Sequence, residues 1–539
     1  MRVTSQMITT NMMSNINRNK VNMNKKGDQY ATGQAIQKPS DDPVIAVRTL
    51  KYRTQLTKIE QYLDTNIPEA LSWMEVTEEA LTGIHSLVQK INTYCNQAVN
   101  GYLELTDRDS IVATLQEYKE QLFELGNTDY AGRYVFSGYR TDTPLMFEKA
   151  TSGKKDADYT TYTITEKLSY TDITTKSYIV GGAEYNPNIK DSESYLGMAP
   201  SIETCNRLQL TYGNLDDNAV TEVTLTNAKG QQIKITNLRQ TSIAEYEKAI
   251  AEVATLDPNV PYDPNDPASI DYDKMKADAE ALNPYAVGAD EIVYIKETGE
   301  LIFGENVLAD AVTYSDISVT YAKTEFEKGD ILPQHYFACT AEHFKKDAPT
   351  NSTETIQYTE PDVQKIEYEM NATQKLTVNT LAKDALTSSL CTKIDEIITS
   401  IHNVFSIKDQ ITKAETILKN APNEQKEAIE TYIEQLKTEQ VLAEKILTEA
   451  FSSGLTTTKQ SEEKVNVAIA DIGARYIRGE LIQSRLEEQQ TTVTELLSDI
   501  FYVDLEDAII QYNSAQLYYN ASLQCASKIV QNSLLDYLR

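Results

Sequence analysis

The side chains best suited to chemistry at neutral pH are histidine and cysteine. His335-Tyr336-Phe337-Ala338-Cys339 brings one of each within four residues. A histidine that takes the proton of a nearby thiol creates a thiolate nucleophile. Here the pair sits in a Tyr/Phe-rich segment, where both side chains read as packing. Only three other histidines occur, His85, His343 and His402, and there is no HExxH, GxSxG, Walker A or GxGxxG run. Asp41-Asp42 could ligate a metal. Asp42 before Pro43 is also a helix N-cap with proline at the first helical position, and the spare carboxylate suits the positive helix end, so capping is the preferred reading. Asp257–Asp273 is rich in Asp, Asn and Pro but lacks the ordered spacing of a calcium loop, and reads as a solvated loop. The cysteines, Cys95, Cys205, Cys339, Cys391 and Cys525, are scattered and odd in number, which fits neither a disulfide framework nor a zinc site. No catalytic residue, cofactor or metal is expected, and the chain reads as not an enzyme.

The elements that would position such residues are built for something else. Both ends of the 539-residue chain carry helical apolar stripes, and a strand-rich stretch lies between them. The net charge of −30 argues against nucleic acid or an anionic membrane as partner. Residues 1–55 are the exception, with nine Lys/Arg against three Asp. That basic arm is either a solvated helix face or a contact to acidic surfaces of neighbouring subunits. No run of 18 apolar residues suggests a membrane span, and residues 1–30 lack the apolar core of a secretory signal. Export, if it occurs, is expected to use no cleaved signal.

In the first segment Val3, Met7, Met12-Met13, Ile16, Met23 and Tyr30 lie at helical spacings among Asn, Thr, Ser and Lys. Asn, Thr and Ser are weak helix formers, so this helix is expected to be mobile in the monomer and to order on assembly. Gly33 ends it. From Pro43 a heptad stripe runs through Leu56, Leu63, Ala70, Thr77, Ile84, Ile91 and Ala98, weakened at Asn66 and Thr77, with a kink or a helix break expected near residue 67 ahead of Pro68. A further helix ends near Gly126. Strand-like alternation then appears in Tyr159–Leu168, Arg207–Thr211, Val223–Ile235, Glu291–Phe303 and Ile317–Tyr321, with turns at Gly230 and Gly299. Ser242-x-x-Glu245 is a capping box. Helix returns from Cys391, with an extra helical pair at 408–452 turning near Pro422. Ser452–Thr458 reads as a flexible joint. Val465, Ile472, Gly479, Leu486, Val493 and Ile500 repeat every seven residues, and Ile509 to Leu534 carries the stripe to the end. Stripes this long need a partner surface, since a buried Leu or Ile is worth roughly 1.5–3 kcal/mol.

Several motifs resemble a known family. Met1-Arg2-Val3-Thr4-Ser5-Gln6-Met7 and Thr32-Gly33-Gln34-Ala35-Ile36-x-x-Pro39-Ser40-Asp41-Asp42-Pro43-x-x-Ala46 are similar to the flagellin superfamily, the second closest to its hook–filament junction branch. Gly132-Arg133-Tyr134-Val135-Phe136-Ser137-Gly138 and Gly329-Asp330…Pro333-x-His335-Tyr336-Phe337-x-Cys339-Thr340 resemble that branch as well, which gives the His/Cys pair a structural explanation, and Ser533-Leu534-Leu535-Asp536-Tyr537-Leu538 resembles the family's terminal helix. Gly473-Ala474-Arg475-Tyr476-Ile477-Arg478 departs from the family at Ile477, where asparagine is usual. The resemblance covers about residues 1–147 and 460–539, with patches near 329–378.

It implies a hook–filament junction subunit that folds on assembly. The alternatives are a filament flagellin, or a surface adhesin acting through its centre. Implied partners are copies of itself, an adjacent hook-associated protein, flagellin and a flagellar export chaperone, outside the cell. The expected fold is α+β, a long helical coiled-coil bundle made from both chain ends with a central strand-rich outer domain. Its expected divisions are an assembly segment (1–45), two bundle halves (46–147 and 460–504), the outer domain (148–360), a mixed segment (361–459) and a terminal assembly helix (505–539). The residues expected to pack helices in the assembly are Met7, Ile16, Met23, Ser40, Asp41, Asp42, Pro43, Leu56, Leu63, Ile84, Ile91, Ile472, Leu486, Val493, Ile500, Leu523, Ile529, Leu534 and Leu535.

Overall fold

The computed structural model describes residues 5–100, 108–151, 153–155, 158–182, 200–254, 256, 270–345, 352–360 and 364–535. The chain divides into two compact units. The first holds 1–72, 367–377 and 475–539; the second holds 73–366 and 378–474. The fold is α+β, with long helices from both chain ends and a central multi-strand region.

In the first unit α1 (Ser5–Thr32) packs on α11 (Leu505–Leu535), and α2 (Pro43–Gln61) follows a short turn. The Asp42 carboxylate accepts from the Val44 and Ile45 amides at 3.0 and 3.1 Å, with Pro43 next. Asp41 closes the preceding turn by accepting from the Gln37 and Lys38 amides at 3.2 and 2.9 Å. Those bonds hold its carboxyl below the usual range. Both carboxylates therefore serve the backbone.

Between α2 and α3 (Ile67–Val99) the helix does not break. It widens for one turn over Tyr62–Asn66, where the Ile67 amide reaches back five residues to the Tyr62 carbonyl. Pro68 cannot donate, and the wider turn accommodates it without ending the helix. Asn66, a weak point of the heptad stripe, donates to the Glu369 carbonyl at 2.8 Å and anchors the hairpin of β14 (Glu367–Glu369) and β15 (Lys375–Thr377). Gly479 belongs to α10 (Asn423–Phe501). A Cβ there would stand 2.8 Å from Leu71 Cδ2 and 3.5 Å from Leu376 Cδ2, so its smallness admits both leucines.

In the second unit, α3, α4 (Arg108–Gly126), α9 (Ser389–Asn420) and α10 form a helical layer. Trp73 is fully buried, with Arg133 over its ring at 4.8 Å and Tyr130 edge-on at 6.0 Å. The stretch 452–458 is not a joint, because α10 runs straight through it. The Thr456 and Thr457 hydroxyls donate to carbonyls four residues back, at 3.2 Å each. Polar side chains thus satisfy themselves within the helix. Gly454 lets neighbours approach closely: a Cβ would lie 2.8 Å from Ile397 Cδ1 and 3.3 Å from Cys95 Sγ. Asn92 donates to buried Thr458 at 3.0 Å, adding a polar layer that fixes register between α3 and α10.

The chain leaves the helical layer through the short hairpin of β1 (Asp129–Tyr130) and β2 (Arg133–Tyr134). Two sheets follow. The six-stranded one is antiparallel, in the order β13 (Ser352–Tyr358), β12 (Ala338–Lys345), β3 (Asp158–Ser169), β11 (Asp316–Lys323), β6 (Val220–Thr226), β7 (Gln232–Ile235). The five-stranded one runs β4 (Thr174–Val180), β5 (Ser201–Gln209), β10 (Glu300–Phe303), β9 (Ile292–Ile295), β8 (Leu238–Thr241), with β8 and β9 parallel. Three helices, α5 (Ile243–Ala254), α6 (Tyr272–Ala281) and α7 (Glu305–Tyr314), accompany them, and the single turn α8 (Ala382–Ala385) precedes α9. Gly230 and Gly299, both at positive φ, sit in the turns that precede β7 and β10. Ile164, Val223, Leu225, Leu208, Leu301, Val319 and Tyr321 meet in one core. Alternation along β3 and β11 points Glu166 and Lys323 inward as well. Glu166 accepts from Thr211 Oγ1 at 2.7 Å and Tyr321 Oη at 2.9 Å, and Lys323 donates to the carbonyls of Gly213 and Asn214.

The five-stranded sheet carries a buried charge cluster. Lys176 donates to both Glu300 oxygens at 2.7 and 2.8 Å, and Arg207 bridges Glu300 and Glu396, reaching the latter at 2.5 Å. Lys393 completes it with a 2.7 Å bond to Glu396. This cluster ties the sheet to α9.

Candidate assembly surface

The surface with no internal purpose lies on the first unit. Its inner side is a deliberate joint. After α1, Gly33 adopts a positive φ that favours glycine, and its carbonyl accepts from the Val503 amide at 2.9 Å. The Ala35 amide donates to the Phe501 carbonyl at 2.7 Å. Ile36, Ala46 and Phe501 close over this crossing, with Ile45 and Leu497 beside them. Arg53 lies 4.4 Å above the Phe501 ring. Further along, Tyr30 stacks on Tyr512 at 6.1 Å, and a Cβ at Gly27 would come within 3.1 Å of that ring. These contacts bring α1 and α11 together.

Their outer sides stay bare. On α1, Met7, Ile8, Met13 and Val21 are exposed. On α11, Leu505, Ile510 (62%), Leu517 (67%), Tyr518 and Leu523 are exposed, as are Ile477 and Leu481 on α10. Single exposed leucines are ordinary; a long series on two paired helices marks an interaction surface.

The residues singled out from sequence divide accordingly. Ile84, Ile91, Ile472, Leu486 and Val493 are buried within the chain, as is Ile16. Met23, Leu56, Leu63 and Ile500 are half-buried, whereas Met7, Ser40, Asp41, Pro43 and Leu523 are exposed and Asp42 is half-exposed. The side chains of Ile529, Leu534 and Leu535 lie outside the described residues. Sequence reading missed Phe501 and Arg53, whose pairing at the joint needs contacts far apart in the chain.

Among the described residues, His335 and Cys339 form no hydrogen bond with each other. His335 is buried, with Nε2 3.3 Å from Thr143 Oγ1. Burial lowers its pKa to about 4, and burial pushes the Cys339 thiol up to about 12. A neutral His335 makes stability pH-dependent. The unfolded chain takes up a proton below about 6.5 while the folded one resists until about 4, so up to ~3 kcal/mol is lost as pH falls through that window. Denaturation at pH 7 and pH 4.5 should show His335→Gln shedding that part of the loss; an unchanged pH slope would contradict it. Residues 257–269 of the Asp/Asn/Pro-rich loop lie outside the described residues. Asp271 is spent capping α6, accepting from the Lys274 amide at 3.1 Å.

Terminal helices that pair with each other and leave their outer faces apolar define a subunit of a larger assembly. Residues 3–141 match the bacterial flagellin N-terminal helical region. Flagellar hook-associated protein 3 of Salmonella typhimurium is 28% identical over 265 residues, which cover 48% of this chain and 82% of that protein. The protein of that name from Escherichia coli is 32% identical over 151 residues, 28% of this chain and 47% of its own length. Among solved structures, flagellar hook-associated protein 3 of Legionella pneumophila aligns at 11% identity and a TM-score of 0.28, covering 83% of this chain and 98% of that one. Residues 3–141 therefore resemble the N-terminal helical region of flagellins, and both of these sequence relatives are hook-associated proteins of the flagellum.

Proposed function

We propose that this chain is a structural subunit of the bacterial flagellum at the hook–filament junction, fitting the hook to the flagellin filament. The observation that carries this reading is the pair of terminal helices with apolar outer faces, in a chain similar to two proteins that bear a hook-associated name. Neighbouring copies, an adjacent hook-associated protein and flagellin would cover those faces outside the cell, and an export chaperone would hold α11 beforehand. In this reading residues 1–45 and 505–539 are the assembly segments, 46–147 and 460–504 the bundle halves, 148–360 the outward domain and 361–459 its connection to the bundle. Deleting the gene is expected to leave hooks without filaments and unpolymerised flagellin in the medium. Normal filaments in the deletion strain would overturn the assignment.

Folding is coupled to assembly in this proposal. α1 is built largely from Asn, Thr, Ser and Lys, has no acidic residue in its first turn and no basic one in its last, and finds its packing on α11. Hydrogen exchange on the monomer should therefore be fast over residues 5–40 and 505–535 and slow in β3 and β11. Equal protection of both regions in a proven monomer would contradict it.

A further inference from the structure

The second unit contains a cleft of about 760 Å3, bordered by the five-stranded sheet and helices α9 and α10. That volume lies in the range of true binding sites. Its wall is unusual. Six consecutive residues of β4, Thr174–Ile179, line it. Successive side chains of a strand point to opposite faces, so a consecutive run means the open edge of the strand borders the space. β4 ends its sheet and, among the described residues, pairs only with β5.

Exposed strand edges are normally blunted by proline, a bulge or an outward lysine. β4 is seven residues long, has no proline and keeps unbroken register with β5. Its one lysine, Lys176, is folded back onto Glu300. The edge is therefore left able to pair.

Charge selects what could pair with it. Nine Asp and Glu line the cleft against three Lys and Arg. The three cations are committed inward, Lys176 and Arg207 to Glu300 and Lys323 to backbone carbonyls. Glu247 and Glu449 are exposed on the rim and take no hydrogen bond or ion pair among the described residues. An anionic ligand is disfavoured, and a cationic one is drawn in.

We propose that this cleft binds an extended basic segment of a partner protein, which adds as a strand to the free edge of β4. The binding mode supplies main-chain hydrogen bonds from β4 and charge selection from the acidic rim. This site lies outside the terminal helices, so it stands or falls separately from the flagellar assignment.

The test uses the full chain and labelled octapeptides of alternating Lys and Val. The Lys peptide should bind, weaken as salt rises, and slow exchange of alternate amides in Thr174–Val180. A Glu/Val peptide should not bind. Methylating every backbone nitrogen of the Lys peptide, which keeps its charge, should weaken binding at least about tenfold. Glu247→Gln with Glu449→Gln should weaken it about threefold or more, with Trp73 fluorescence unchanged. Three results would each overturn the proposal: no binding of the Lys peptide, equal binding of the methylated one, or full protection of every β4 amide in the free protein.

Discussion

Ile510→Asp with Leu517→Asp is expected to abolish incorporation into the flagellum while leaving the isolated chain folded. Both side chains lie one heptad apart on the bare side of α11, 62% and 67% exposed. Charging them removes no internal contact of consequence, and surface substitutions usually change stability by no more than about 0.5 kcal/mol. In an assembly the same positions meet a neighbour. Losing two apolar burials of roughly 1.5–3 kcal/mol each weakens every such contact by about a hundredfold to ten-thousandfold. Unpaired carboxylates forced into an apolar interface add to that. Complementing a deletion strain should give no motility and flagellin released to the medium, with a wild-type far-ultraviolet circular dichroism spectrum for the purified variant. Normal motility would show that this face is not covered in the assembly. Lys464→Asp, a charge change on the same class of exposed helix surface, is the control and should complement fully.

That experiment also marks where sequence reading stops. A heptad stripe says that a face must be covered, not by what. Ile84, Ile472 and Val493 are covered by the chain itself; Met7 and Leu523, on stripes of the same kind, are exposed. Periodicity cannot separate them, because both obey the same spacing. Capping was legible because it is local: Asp42 bonds amides two and three residues on. The strands of the six-stranded core were legible where alternation was clean, as in β3 and β11. Strand β4 was not, because Thr174-Thr175-Lys176-Ser177-Tyr178 offers no apolar alternation. Ser452–Thr458 misled for a physical reason. Ser and Thr favour loops only when their hydroxyls compete with the backbone, and here they bond back within the helix.

The charge cluster was illegible for a different reason. Lys176, Arg207, Glu300 and Glu396 come from three strands and a helix, and each alone is an ordinary polar residue. Together they form a buried network that links the five-stranded sheet to α9. Arg207→Met is expected to destabilise this unit by about 3–5 kcal/mol, because it strips a partner from a carboxylate that is only 2% exposed. Glu300 would keep Lys176 and Glu396 would keep Lys393, but the bridge between sheet and α9 would be gone. Trp73, the single tryptophan, lies in this unit and reports its unfolding. Adding Glu300→Gln to Arg207→Met should deepen the loss, since Lys176 is then left without its carboxylate partner. Although burial alone would raise it, the Glu300 pKa is held down to about 2 by its two cations. Its contribution is therefore complete above the ordinary carboxylate range, about 4.5, and drains away as pH falls toward 2. The acid sensitivity of the wild type should be visibly flatter in Glu300→Gln. If Arg207→Met costs less than about 0.5 kcal/mol, the cluster is bystander charge and the sheet is held to α9 by apolar contacts alone.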